Sequence, residues 1–275
     1  MKRIKLLAII PALVICACDS NGNGKNIKLD QSTITPSGTV RKISEDEAAP
    51  AVKEIKRAKY FDEIADINIV HTYNRGRGKD KISTVMKFRL MRNFETNETY
   101  FRQDGVLSYS TVGENYSEGY EVRNKDGEIK EYLRYREHKN EKLTYGEYDE
   151  DSSSLFMALY YKCYSSAYEL YDYAQLIDNY TSKVDSQETC ELYSNDDDYF
   201  KYYYGYGEDG KAPVDETEEI EYYKRYTGEY INNKLVRFYA VWKTNWGNES
   251  EALITISYDN PEIKLPSNWK KAPLA

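Results

Sequence analysis

Histidine is almost missing from this chain: there are two, His71 and His138, in 275 residues. Cysteine is scarce too, with four in all, and proline supplies only seven positions. So little histidine and cysteine argues against histidine-rich metal centres and zinc-ribbon chemistry. Any histidine-based catalytic triad would have to use His71 or His138, and neither has a motif around it. A nucleophile elbow, HExxH, a P-loop, a glycine-rich dinucleotide turn and a CxxC pair are all missing. The sequence therefore points to a protein that is not an enzyme, and it calls for no cofactor and no metal. Long apolar runs are also lacking, apart from one short stretch at the start. A polytopic membrane protein is thereby excluded, while 40% hydrophobic content excludes a wholly disordered chain.

That one apolar stretch has the form of an export leader. Lys2, Arg3 and Lys5 precede Leu6 to Ile15, and ten residues at about 1.5 Å each reach only half of a hydrocarbon core of about 30 Å. Its end, Ile15-Cys16-Ala17-Cys18, resembles the bacterial lipoprotein signal, with a large aliphatic residue three before and a small residue one before the modified cysteine. The resemblance implies cleavage before Cys18 and acylation of its thiol. It also implies a partner, the membrane, reached through N-terminal acyl chains, and an extracytoplasmic location. Loss of the leader lowers Lys plus Arg from 38 to 35 against 46 acids, taking the net charge from -8 to -11. A surface of that sign does not suit nucleic acid. Nothing in the sequence names a protein partner.

With Cys16 removed and Cys18 acylated, Cys163 and Cys190 remain as an even pair in an oxidising space. A disulfide between them is expected, two separately buried thiols being the alternative.

The organisation that follows is a leader over residues 1–17, an acylated, flexible, Gly/Asn/Ser-rich arm over 18–43, and a single domain over 44–275. Ser44 to Glu47 has the spacing of a capping box, and Val52, Ile55, Ala58 and Phe61 supply an apolar stripe. Pro50 conflicts with a helix that begins at the box, so either the helix starts nearer Pro50 or its first turn is a separate piece. Beyond residue 64 the period falls to two. Ile82, Thr84, Met86, Phe88 and Leu90 share a face, whereas both faces of the run from Leu235 to Trp242 are largely apolar, so that strand is covered on each side. Asn232-Asn233, Gly247-Asn248 and similar pairs mark hairpins. The expected class is α+β, mainly β: a large curved antiparallel meander with an N-terminal helix and an inserted helical pair over 153–177.

Tyrosine is the excess, 29 against seven Phe and three Trp. These rings suit either half-buried sheet faces or a groove that tolerates polar groups. The order of leader, arm, helix, meander and helical insertion resembles the LolA/LolB and LppX/LprG-like lipoprotein-carrier fold. The resemblance implies a cavity for a lipid or other hydrophobic ligand, with Tyr160, Tyr164, Ala167, Tyr168, Leu170 and Tyr171 at its mouth and Trp242 in its lining. Glycan or peptide recognition by exposed aromatics, with Trp242 and Trp246 as candidates, and a structural or adhesive module are the rival readings.

Overall fold

The computed structural model describes residues 29, 32–57, 63–75, 82–104, 116–123, 125, 129–136, 144–146, 188–210, 212 and 217–264. The leader, Cys18 and the expected helical pair at 153–177 lie outside the described residues.

Twelve strands form one antiparallel sheet. They are β1 (Arg41–Ile43), β2 (Asp66–Arg75), β3 (Ile82–Asn93), β4 (Glu98–Asp104), β5 (Tyr116–Arg123) and β6 (Ile129–Arg136), then β7 (Thr144–Gly146), β8 (Glu188–Ser194), β9 (Tyr199–Tyr206), β10 (Glu221–Ile231), β11 (Lys234–Thr244) and β12 (Glu249–Ser257). Their spatial order is β1-β8-β9-β10-β11-β12-β2-β3-β4-β5-β6-β7. Two meanders, β2 to β7 and β8 to β12, therefore meet where β12 pairs with β2. The edge strands β1 and β7 do not join, so the curved sheet is an open half-barrel and not a closed one.

Local chemistry sets the tight turns. Asn232 and Asn233 both adopt positive φ, 51° and 60°, which gives a two-residue hairpin the twist its strands need. The turn before β9 is held by Asn195, whose Oδ1 accepts from the amides of Asp197 and Tyr199 at 3.0 Å each.

The single described helix, α1, runs over Glu45–Arg57. Its capping box is closed in both directions: the Glu47 amide donates to Ser44 Oγ at 3.3 Å and the Ser44 amide to Glu47 Oε2 at 3.1 Å. The helix runs straight through Pro50, so neither a start nearer Pro50 nor a separate first turn is what forms. Pro50 is exposed, and the bond its nitrogen cannot make belongs to the second turn, close to amides that lack helical partners in any case. Ala48 and Ile55 are buried, with Ala51 and Val52 partly so, which is a stripe at helical spacing.

This stripe rests on one face of the sheet. Leu192, Tyr202, Gly228, Phe238, Ile254, Ile69 and Phe88 stand side by side across seven consecutive strands on that face. Most of them belong to one buried apolar cluster with Ala48 and Ile55. Gly228 is needed in this row because the ring of Tyr202 lies over it: a Cβ there would come within 2.2 Å of Tyr202 Cε1.

The chain before α1 runs over the other face. The Leu29 amide donates to Glu251 Oε2 on β12 and the Ile34 amide to Glu229 Oε1 on β10, both at 3.0 Å. Ser37 Oγ then donates to Asp197 beside β9, and β1 pairs with the edge of β8. Leu29 and residues 32 to 57 thus cross one face, turn round the sheet edge and return over the other as α1.

Candidate functional site

The helix face is where sequence reasoning placed a ligand, and its described part is aromatic and dry. Tyr204 stacks on Tyr226 with centroids 5.8 Å apart, and Tyr226 stacks on Phe238 at 5.9 Å. Phe200 and Tyr202 flank Tyr230, which is 1% exposed. Such offset and tilted pairs add about 0.5–1.5 kcal/mol each beyond their buried area. The tyrosines of β9 and β10 on this face are therefore core residues rather than a groove lining.

Trp242 is the one expected lining residue among the described positions. It projects from β11 on the helix face, half-buried against the apolar cluster, with the His71 ring 5.9 Å away. Tyr160, Tyr164, Ala167, Tyr168, Leu170 and Tyr171 lie outside the described residues, as do Cys18 and Cys163.

His71 shows a contact that no sequence motif announced. Its Nε2 lies 2.6 Å from Ser250 Oγ, across the β2–β12 seam. Burial lowers the imidazole below its ordinary pKa, which keeps it neutral near pH 7. The spacing suits a base and a nucleophile, but Ser250 has no exposed surface, and its Oγ also reaches the Thr72 carbonyl at 3.5 Å. No substrate atom has access to that oxygen. The pair satisfies a buried hydroxyl in the seam between the two meanders.

The Cys163–Cys190 disulfide is overturned. Cys190 is a free thiol, with no disulfide among the described residues. It stands on β8 opposite Tyr204 and packs against the helix-face cluster, and burial, with Glu45 and Glu191 nearby, pushes its pKa up to about 12. Counting cysteines showed an even pair, but the fold uses Cys190 as a small apolar side chain.

The opposite face is built on charge. Glu229 has no exposed surface, yet its carboxylate is fully engaged. It accepts from the Tyr199 hydroxyl at 2.9 Å, from Arg237 Nη1 at 3.1 Å and from the Ile34 amide. Beside it Leu29 packs with Tyr223, Tyr239, Val241 and Leu253 in a second apolar cluster. A cavity of about 210 Å³ opens where Thr33 passes over β9 to β12.

No known family matches the chain, and no curated protein matches it. Among solved structures, a DUF1329 family protein from Desulfovibrio piger aligns over 76% of this chain and 91% of its own, at 11% identity and a TM-score of 0.24. A domain named as an outer membrane lipoprotein-sorting protein, from Vibrio parahaemolyticus, aligns over 82% and 94%, at 7% identity and a TM-score of 0.21. At such scores neither likeness carries an argument about fold or function.

Proposed function

We propose that this chain is an extracytoplasmic lipoprotein, anchored through acylated Cys18, that holds a lipid or other apolar ligand against the helix face of its open sheet. The observation that supports this reading is a mismatch of lengths. Twelve strands spaced about 4.8 Å apart span roughly 50 Å. Helix α1, with 13 residues, is about 20 Å long. It leads from β1 to β2, across the β8 to β12 half, yet the apolar face continues beyond it through Phe88, Leu90 and Phe101, all at most 3% exposed. A helix of that length does not bury all of these side chains by itself, and in this reading the helices expected at 153–177 supply the remaining cover, with the ligand held beneath them.

The division into leader 1–17, acylated arm 18–43 and domain 44–275 belongs to the same proposal. Within that arm, Leu29, Ile34 and Ser37 are hydrogen-bonded to the sheet or its turns. No catalytic role is assigned to any residue. Native mass spectrometry of the full-length protein purified gently from its own host, followed by organic extraction, tests the reading. Bound acyl species near one per chain, reduced by Ala167→Trp or Leu170→Trp, are the expected result. A chain that is empty, takes up no fluorescent fatty acid and yet shifts mobility in a glycan gel would overturn it in favour of an aromatic glycan face. Failure of both assays would favour a structural module.

A further inference from the structure

The cavity under Thr33 lies on the face that the apolar-ligand reading does not use. Pockets for drug-sized molecules run to about 300–1,000 Å³, so a cavity of about 210 Å³ selects something smaller. Its lining is polar, and one member stands apart from the rest.

Arg225 reaches the cavity from β10 with its stem laid across β9. Gly205 makes room for it, since a Cβ at that position would lie 2.9 Å from Arg225 Cγ. The guanidinium then sits 4.9 Å from the ring centre of Tyr223 and 5.7 Å from that of Tyr203. The two neighbouring cations in the lining are neutralised. Arg237 pairs with Glu229 at 3.1 Å, and Lys243 pairs with Asp209 at 2.6 Å and Glu249 at 3.6 Å. Arg225 has no carboxylate partner among the described residues, and the Tyr203 and Tyr223 hydroxyls make no hydrogen bond there. Burial raises both phenols above their ordinary pKa, so they remain protonated donors.

Three donors without acceptors in one small cavity define an oxyanion cradle, for which a guanidinium fork is well shaped. The same lining also carries three carboxylates, Asp209, Glu249 and Glu251, of which the single Lys243 pairs with the first two. A polyanion would be repelled there. We propose that this cavity binds a small molecule with a single carboxylate or phosphate group on Arg225, Tyr203 and Tyr223, and with hydrogen-bond donors of its own facing Glu249 and Glu251. Thr33 forms one wall, so the site is complete only when Thr33 lies over the sheet, where the neighbouring Ile34 amide is held by Glu229.

Phosphoethanolamine, with a phosphate at one end and an ammonium at the other, is a suitable probe for calorimetry on the full-length protein. Inorganic phosphate and tripolyphosphate serve as the comparisons. The expected result is saturable binding with one site, tightest for phosphoethanolamine and weakest for tripolyphosphate. Arg225→Gln should weaken it at least about tenfold, a difference of about 1.4 kcal/mol, while Lys53→Gln on the exposed side of α1 leaves it unchanged. No saturable binding of phosphate or phosphoethanolamine, or equal binding by Arg225→Gln, would overturn the proposal. If Arg225→Gln fails to fold, the double variant Tyr203→Phe, Tyr223→Phe keeps both rings against the guanidinium and removes only the hydroxyls. Unchanged affinity in that variant would count equally against the site. Displacement of bound phosphoethanolamine by phosphatidylethanolamine vesicles would support a lipid head group as the source of the oxyanion, and its retention would support a free small molecule. The outcome does not depend on whether the helix face carries a lipid.

Discussion

The two faces of this sheet are both buried over β10 to β12, and they are buried by different physics. On the helix face, Phe238, Ile254, Tyr226 and Tyr230 exclude water by packing against one another and α1. On the opposite face a charged network is buried as well, with Glu229 and Arg237 at 0% and 7% exposure. The first arrangement tolerates apolar side chains of similar volume and shape. The second holds only while every polar atom has its partner, because an ionised carboxylate out of water costs several kcal/mol unless it is paired and hydrogen-bonded. Covering a strand on two sides therefore leaves two kinds of weak point.

Substitutions on adjacent strands separate these cases. Phe238→Ala should cost about 3–5 kcal/mol in urea unfolding, through a lost ring and the cavity it leaves. Glu229→Ala should cost about as much, 3–5 kcal/mol, for the different reason that the buried Arg237 loses its carboxylate partner. The comparison sharpens in a double variant: Glu229→Leu with Arg237→Leu should recover much of the loss, whereas no second truncation beside Phe238 restores its packing. If the double variant is no more stable than Glu229→Ala, the network is not what holds that face.

Smaller effects follow. Gly228→Ala should destabilise by about 1–3 kcal/mol, since the new Cβ must displace the Tyr202 ring. Ser44→Ala should cost about 1 kcal/mol by opening the capping box of α1. The smallest is a pH effect. His71 has a lowered folded pKa, so its contribution is present above the unfolded value near 6.5 and is lost as pH falls below it. Urea midpoints taken from pH 7 down to pH 5 should fall more steeply for the wild type than for His71→Gln, and equal slopes would refute the assignment.

Much of this was legible beforehand. The alternation that set Phe88 and Leu90 on one face of β3 is what the sheet uses, and the two apolar faces of β11 did foretell cover on both sides. The nature of that cover was not legible. Leu29 and Ile34 sit in a polar stretch without periodicity, because a segment held by its own backbone amides needs no pattern of side chains. The meeting of β12 with β2 was equally hidden, since local periodicity reports that a strand exists and not which strand lies beside it. Cys190 misled for a related reason: composition counts thiols but does not place them. His71 and Ser250 are far apart in the chain, and only the register of the seam brings them together.

That seam also sets an order in time. His71 and Ser250 are 179 residues apart, and pairing at such separation is slow because the intervening chain must be gathered before any contact rewards it. The meander β2 to β7 can form hairpin by hairpin, but the outer edge of β2 stays bare until β12 exists. The segment around Leu29 and Ile34 has to wait longer still, because its acceptors, Glu251 and Glu229, are properly placed only once β10 and β12 have found their neighbours. The earliest described residues of the chain are thus the last to settle, and a nascent molecule that stalls before β12 presents an unpaired strand at the middle of its sheet.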